Sequence, residues 1–330
     1  MIDAAASHEH LVDHIAPIWR ALPEDERGAF WAAHRLIVKY AAARGIEATA
    51  GYPHHGGPPT IVANYQDYTQ VHGRRPVIYL EHGAGQTYID EATHPSYSGG
   101  TDRDRVVLFL TTNEMTAARE RARYPHVPVE VIGSPHLDHL TACRAAMERR
   151  PDLHGRVRVG FAFHWDCSLV PETRETFTYW RNAIPALDPR RFSVAGHAHP
   201  RIAQTLVRHF DRWQLPFALR LDELVDWVDV LAVDNSSVLY EAAALGIPVV
   251  ALNHPRYRRD VHHGLRFWDQ IPGPQADEPD ELPRALNEAF APEWAAMRAT
   301  VTGIVYPQRT RGRAAELAVE AIRTHAMRSL

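Results

Sequence analysis

The sequence almost lacks lysine. Lys39 is the only lysine among 36 basic residues, and arginine supplies the rest. Alanine is abundant as well, so we attribute this bias to genomic composition and do not take arginine counts as evidence for a function. The formal net charge is −4, which gives the chain no overall positive field to attract nucleic acid or an anionic membrane. A nucleic-acid partner is therefore not expected.

Cysteine and long apolar runs are also scarce. Cys143 and Cys167 are the only cysteines and form no CxxC pattern, which argues against a zinc site or a disulfide framework and suits a reducing compartment. The longest apolar run, 242–252, contains a glycine and a proline and is too short to span a bilayer. The N-terminus lacks the basic and apolar regions of a signal peptide. We expect a cytoplasmic protein without a membrane span, and peripheral membrane contact stays open.

The chain of 330 residues is longer than one core usually supports, so two domains of about 150 residues are expected. The first forty-odd residues predict two helices. Short apolar runs then alternate with helical or loop segments, which is typical of βαβ units around parallel sheets. The runs are TIVANY, VIYLEHG, VVLFLTT and VEVIGSP, followed by VRVGFAF, FSVAGH, FALRL, DVLAVD and IPVVALN.

These patterns predict an α/β fold of two Rossmann-like domains that face a central cleft. A polar segment before the run VRVGFAF places the boundary near residue 150. We expect residues 1–150 to form the first domain and residues 151–330 the second, which includes an amphipathic terminal helix. Ligands of such folds bind at the carboxyl ends of the strands, so the polar residues that follow each run are the candidate site residues.

One such segment, Asp-Asn-Ser-Ser, lies between the run DVLAVD and an alanine-rich helix. Ordinary helix capping explains much of this pattern. The alternative is phosphate binding, in which helix N–H groups and the side chains of Asn235, Ser236 and Ser237 receive a nucleotide diphosphate. Glu241 lies four residues after Ser237, on the same helix face, and could accept hydrogen bonds from a ribose.

Histidines follow three other runs. His82 follows the run VIYL after one intervening residue, Glu81, and is a candidate general base, with Gly83 and Gln86 close behind it. His199 and Arg201 follow FSVAGHA and could bind or protonate a leaving phosphate, and His164, which follows VRVGFAF, is a further candidate for binding the donor phosphates. The pattern His-Ala-His at 197–199 also suggests a metal, but two ligands do not make a metal site and no metal or other cofactor is expected. For any one of the 21 histidines, a structural role is the simpler hypothesis.

Taken in order, these motifs resemble the CDP-glycerol glycerophosphotransferase family, the teichoic-acid polymerases and primases of GT-B fold. The resemblance covers roughly residues 77 to 325. The matching positions are His82-Gly83, Gly133, Pro135 and Asp138, His199-Pro200, Asp234 with Ser236-Ser237, and Gly264, Phe267 and Pro272-Gly273-Pro274. The sequence departs from the family at His197, where a basic Arg or Lys is usual, and at Asn235, where an aromatic residue is usual.

The resemblance implies a metal-independent transferase. Residues 1–150 would form its acceptor domain, with Gly83 and Gln86 on the acceptor side, and residues 151–330 its nucleotide-binding domain. His82 would deprotonate an acceptor hydroxyl, which attacks the β-phosphate of CDP-glycerol and expels CMP. His199, Ser236 and Ser237 would stabilise the phosphates and Glu241 would hold the ribose. A GT-B glycosyltransferase with a UDP-sugar or another nucleotide-sugar donor is the main alternative, followed by a sugar-nucleotide epimerase or hydrolase and by a non-catalytic nucleotide-binding module.

Overall fold

The computed structural model describes residues 1–73, 75–83, 98–146, 152–166, 175–234, 236–257 and 271–327. The chain divides into two compact units. The first contains Met1–His139 together with Ile304–Leu330, and the second contains Leu140–Gly303. Among the described residues, no helix combines the length and the apolar character that crossing a membrane requires.

The first unit is built on a parallel sheet of seven strands within the described residues, in the order β3-β2-β1-β4-β5-β6-β7. Its central strands are short, apolar and buried, as strands covered by helices on both faces must be. The strands are β1 (Ile2–Ala6), β2 (Arg27–Ala32), β3 (Thr49–Ala50), β4 (Thr60–Val62), β5 (Val77–Leu80), β6 (Val106–Thr111) and β7 (Val129–Val131).

Helices alternate with these strands. Asparagine side chains cap two of them, because Asn64 and Asn113 accept backbone N–H groups of the first turns of α3 and α4. The helices are α1 (Glu9–Ala21), α2 (Arg35–Ala43), α3 (Tyr65–Val71), α4 (Glu114–Arg123) and α5 (Pro135–Ala146), and α5 continues into the second unit. A 3₁₀ turn, Glu24–Glu26, precedes β2.

The second unit has a parallel sheet of five strands within the described residues, in the order β12-β11-β10-β8-β9. The strands are β8 (Val157–Phe163), β9 (Phe192–Ala198), β10 (Val230–Val233), β11 (Val249–Leu252) and β12 (Gln275–Ala276). The helices are α6 (Phe177–Trp180), α7 (Pro200–Arg212), α8 (Leu221–Trp227), α9 (Val238–Ala244), α10 (Leu282–Glu288) and α11 (Pro292–Val305). A 3₁₀ turn at Pro279–Glu281 leads into α10.

The chain ends in the first unit, with a 3₁₀ turn (Gln308–Thr310), helix α12 (Ala314–Ala321) and a π-helical turn (Ile322–Ala326). The sequence predicts this helix correctly but assigns it to the second domain. Its apolar face packs instead into the core of the first unit, through Ala318, Val319 and Ile322. The contacts therefore divide the chain at residues 139 and 303 rather than once near residue 150.

Two predictions of secondary structure are wrong. Two helices do not open the chain by themselves, because β1 precedes α1 and β2 separates α1 from α2. Strand β1 is alanine-rich, but pairing with β2 on one side and β4 on the other overrides the helical preference of alanine. The run FALRL is not a strand: Phe217 forms one isolated bridge to Gly196, and Arg220 already caps α8.

Candidate functional site

The order of strands in the second unit defines where a ligand is expected. The first strand along the chain, β8, lies between β9 and β10, so the winding of the sheet reverses between β8 and β10. In open parallel sheets, the crevice beyond the carboxyl ends of the strands at this switch point is the usual ligand site. His164 directly follows β8, Asp234 directly follows β10 and His199 directly follows β9. The sequence motifs of the second unit therefore converge on one edge.

Asp234 joins the two strand ends at the switch point. Its carboxylate oxygens accept the backbone N–H of His164 at 2.9 and 3.0 Å, and Oδ2 accepts the hydroxyl of Thr176 at 3.2 Å. The side chain is fully buried. Burial raises the pKa of Asp234 to about 7, although these hydrogen bonds act in the opposite direction. The sequence analysis missed this role, and its signal was an acidic residue directly after a buried strand.

His164 is a neutral hydrogen-bond acceptor. Its Nδ1 lies 3.0 Å from the backbone oxygen of Trp165, and since a carbonyl only accepts, Nδ1 carries the proton. The Nε2 atom therefore presents a lone pair. Burial, followed by the charge of Arg201, lowers the pKa of His164 to about 4. The side chain cannot supply positive charge to a phosphate at neutral pH.

His199 and Arg201 are fixed at the start of α7. The Nδ1 atom of His199 accepts the backbone N–H of Arg201 at 3.2 Å, which makes His199 the N-cap of the helix. In the neutral ring the proton then lies on Nε2, which is a donor. The rings of His199 and His164 are 5.3 Å apart, centroid to centroid. The guanidinium of Arg201 lies 4.2 Å from the ring centre of Trp165, within the range of a cation–π contact.

The two serines begin α9 at the same edge. The hydroxyl oxygen of Ser236 accepts the N–H of Val238 at 3.3 Å, so its own proton remains available to donate. Ser237 is the N-cap residue, and its side chain makes no capping hydrogen bond. Glu241 is 5% exposed, one turn further into the helix. Asn235 lies outside the described residues.

His197 belongs to the strand rather than to this group. Its Nδ1 lies 3.0 Å from the backbone oxygen of Ala218, which holds the ring on the neighbouring segment. Burial lowers the pKa of His197. Within the described ranges, no three His, Cys, Asp or Glu side chains are arranged to hold a metal ion.

In the first unit, His82 follows β5 as the sequence predicts, and Gly83 comes next with a φ of 74°. That left-handed conformation favours glycine. A hydrogen bond to the backbone of Ala63 orients the His82 ring. Burial lowers the pKa of His82, partly offset by Glu81, so the ring is neutral near pH 7 and can accept a proton. Gln86 lies outside the described residues.

A buried network of charged side chains includes Glu81, the residue before His82. The fully buried guanidinium of Arg103 binds Glu120 at 2.6 Å and Glu81 at 3.1 Å, and lies 4.3 Å from the centre of the Tyr79 ring. Burial and the neighbouring Glu81 raise the pKa of Glu120, and the charge of Arg103 acts in the opposite direction. Because Glu81 immediately precedes His82, this network fixes the end of β5.

Gly133, Pro135 and Asp138 form a structural turn. The carboxylate of Asp138 accepts the N–H of Gly312 at 2.6 Å and of Ala314 at 2.9 Å, so it holds the start of α12. Gly133 has a φ of 84°, and a Cβ there would lie 2.4 Å from the Thr310 hydroxyl. This motif of the resemblance anchors the terminal helix.

We predict that Asp234→Asn changes the pH dependence of stability. The folded state binds the Asp234 proton more tightly than the unfolded chain, so this contribution is present below pH 3.8 and is lost as pH rises toward 7. Relative to Asp234→Asn, the wild type should lose up to about 4 kcal/mol over this range, at about 1.36 kcal/mol per pKa unit. Urea unfolding at pH 5 and pH 8 measures the part of this loss that falls between them, about 3 kcal/mol for the two units from pH 5 to the pKa of about 7. Parallel changes in both proteins would refute the prediction.

Comparisons with known proteins give the fold. No protein-family model matches the chain, and no curated protein matches its sequence significantly. Several solved structures resemble nearly the whole chain, among them the following three. The S. aureus MnaA–UDP structure has a TM-score of 0.66 at 12% identity, covering 98% of this chain and 96% of that one. A putative UDP-N-acetylglucosamine 2-epimerase from Listeria monocytogenes gives 0.65 at 12% identity, covering 98% and 95%.

A histidine variant of the wall teichoic acid polymerase TagF gives a TM-score of 0.64 at 13% identity, covering 100% of this chain and 89% of that one. At these identities the likeness shows the fold alone. The chain has the α/β GT-B fold, as its sequence predicts.

Proposed function

We propose that the protein is a transferase that binds a nucleotide-activated donor beyond β8, β9 and β10. The observation that carries the proposal is the convergence of His164, His199, Asp234 and Ser236 at the switch point of the second sheet. Asp234 ties two of these strand ends together, so the polar groups are held before a ligand arrives. Such preorganisation limits the cost of ordering the site on binding.

The diphosphate would lie against the donors of this edge. These are the Nε2–H of His199, the hydroxyls of Ser236 and Ser237, and the guanidinium of Arg201. Helix α7 has 13 residues, and the positive end of its dipole lies at Pro200, next to His199. Together these groups can stabilise negative charge on a leaving phosphate without a metal.

The ribose would be bound by acceptor groups. Glu241 provides a carboxylate one turn into α9, and the Nε2 lone pair of His164 accepts a second hydrogen bond. We thus change the role of His164 from a phosphate ligand to an acceptor for a hydroxyl, because its low pKa keeps it neutral.

For the reaction, we propose His82 as the general base. The neutral imidazole would take the proton of an acceptor hydroxyl while that oxygen forms a bond to the β-phosphorus of the donor. The bond between the β-phosphorus and the bridging oxygen breaks, and the nucleoside monophosphate leaves with the electron pair. With CDP-glycerol as donor, glycerol phosphate is transferred and CMP is released.

The choice of CDP-glycerol rests on the order of the motifs and on the structural likeness to a teichoic acid polymerase. A UDP-sugar donor is the second candidate, favoured by the likeness to a protein in complex with UDP and to a putative UDP-N-acetylglucosamine 2-epimerase. A glycosyltransferase or an epimerase would use the same diphosphate site. The two candidates therefore differ in the nucleobase of the donor and in the group that is transferred.

A thermal-shift screen separates these candidates. The ligands are CDP-glycerol, CDP-ribitol, CMP, UDP-sugars, GDP-sugars and the free nucleotides. A ligand that binds only the folded state stabilises it by about 2.7 kcal/mol at 100 times its Kd. We expect cytidine nucleotides to raise the melting temperature. A response to uridine or guanosine nucleotides alone would refute the cytidine donor, and no response to any nucleotide would refute the function.

A further inference from the structure

Five imidazoles of the first unit form a continuous series of ring contacts, each with the next. Ring centroids are 4.8 Å apart for His14 and His136, 5.2 Å for His14 and His82, 5.6 Å for His8 and His10, and 6.0 Å for His10 and His82. We call His8, His10, His14, His82 and His136 the histidine cluster. Only His82 was singled out from the sequence.

The cluster lies at the switch point of the first sheet. The strands run outward from β1 in both directions, with β2 and β3 on one side and β4 to β7 on the other. His8 follows β1 and is the N-cap residue of α1, and the His82 ring reaches the backbone of Ala63, directly after β4. This is the ligand position of an open parallel sheet. The positive end of α1, a helix of 13 residues, is at the same place.

The cluster has an outer and an inner layer. His8, His10 and His82 are partly exposed, whereas His14 is 6% and His136 is 7% exposed. The outer rings can contact a solute, and the inner pair lies behind them. A solute at this position would therefore meet three imidazoles that two further imidazoles support.

The outer layer is held in place. The Ser7 hydroxyl lies 2.8 Å from Nδ1 of His8, and the Ser7 N–H donates to Oδ2 of Asp67 at 3.0 Å. Tyr52 donates to the other oxygen of Asp67 at 2.6 Å. The hydrogen bond between Ser7 and Nδ1 fixes the orientation of the His8 ring, so His8 is oriented before any ligand binds.

Within the described residues, three carboxyl groups belong to the segments that carry the cluster or contact it. Glu9 is in the first turn of α1, Asp67 reaches His8 through Ser7, and Glu81 precedes His82. Arg103 binds Glu81, and burial raises the pKa of Asp67 to about 6. Burial lowers the pKa of His14 well below its usual range, and His136, His82 and His10 lower it further. Protonated rings here repel one another, and a bound anion would relieve that repulsion.

We propose that the histidine cluster binds an oxyanion, with His8 and His10 holding it beside His82 and with His14 and His136 as the supporting inner layer. The assignment of a ligand class rests on the proposed function. If the protein is that transferase, the oxyanion is a phosphate or similar group of the acceptor, close to its reacting hydroxyl. Binding takes up a proton from solvent, because an anion stabilises the imidazolium form of rings that are otherwise neutral.

A metal ion is the obvious competitor for a group of histidines. Zinc requires three or four ligand atoms at about 2.0–2.1 Å in tetrahedral order. In the part of the chain that the structure describes, no three His, Cys, Asp or Glu residues are placed to hold a metal ion. The ring spacing suits an anion placed over several N–H donors better than a shared metal.

Calorimetric titration of the full-length protein with inorganic sulfate at pH 6, 7 and 8 tests the proposal. Sulfate keeps its charge over this range, so a pH dependence reports protons on the protein. We expect affinity to fall with rising pH, by about tenfold per unit if one proton is taken up. Repeating the titration in two buffers of different ionisation enthalpy counts the protons, and inorganic phosphate is the second probe.

The test variants are His10→Gln and, in case that variant folds poorly, His8→Gln. Each should weaken sulfate binding at pH 6 by about tenfold or more, the loss of one charge-assisted hydrogen bond. His34→Gln is the matched control, because His34 is an exposed histidine of the same unit, and it should bind like the wild type. The proposal would be overturned if sulfate does not bind, if its affinity does not depend on pH, or if both variants bind it like the wild type. It would also be overturned if zinc stabilises the protein and sulfate does not.

This experiment is independent of the nucleotide screen. If sulfate binds with the expected pH dependence and no nucleotide binds, the oxyanion site is supported and the transferase function is refuted. Nucleotide binding without sulfate binding at the cluster would keep the donor site and discard this inference.

Discussion

Replacing His82 by alanine is expected to lower turnover by about 10²- to 10⁴-fold, the usual contribution of a general base. Donor affinity should stay within about twofold, because a group that acts on the acceptor proton adds little to ground-state binding of the donor. The neutral state of His82 at pH 7, caused by its burial, is what makes this effect large. Steady-state release of the nucleoside monophosphate and calorimetric titration of the donor measure the two quantities.

His34→Ala is the control for this experiment, since it removes an exposed imidazole of the same unit. It should leave both quantities unchanged. Equal losses of turnover and donor affinity in His82→Ala would show that His82 binds the donor or supports the structure, and would remove it as the base.

Replacing Arg103 by leucine is expected to destabilise the first unit by about 3–5 kcal/mol, the cost of leaving a buried charge without its partner. Arg103 is fully buried between Glu81 and Glu120. The melting temperature should fall on the order of 10 °C. Scanning calorimetry measures the change, and a fall in turnover of the folded variant at low temperature would show that the network also positions His82.

Two other variants serve as controls for Arg103→Leu. Arg105→Leu removes an exposed arginine two positions away and should cost no more than about 0.5 kcal/mol. Glu120→Gln should also be tolerated far better than Arg103→Leu, because Glu81 remains to pair with the Arg103 guanidinium. Similar losses for all three would mean that the network does not act as described.

Much of the fold can be predicted from the sequence, because a buried parallel strand is a short apolar run that ends at a polar turn. This rule finds β4 to β11, and it places His164 and His199 directly after strands and His82 one residue beyond a strand. It fails at β1, whose alanines favour a helix until two neighbouring strands pair with them. It also fails at Phe217, where the chain returns to the sheet for a single bridge.

The site is predictable only in part. A residue at a strand end can be found from its neighbours in sequence, as Ser236 and His199 are. Contacts such as that of His14 with His82 and His136 join segments far apart in the chain, and each histidine alone is one of 21. The role of Asp234 likewise depends on the order of β8 and β10 in the sheet, which periodicity does not determine.

The central claim is that a nucleotide diphosphate binds at the switch point of the second sheet. Its most direct test is calorimetric titration of CDP-glycerol into the wild type and into the double variant Ser236→Ala, Ser237→Ala. We expect the double variant to bind at least about tenfold more weakly, because each lost hydroxyl leaves phosphate oxygens without a donor. Thr300→Ala, which removes an exposed hydroxyl of the same unit, should bind like the wild type. Equal affinity of the double variant and the wild type would contradict the account.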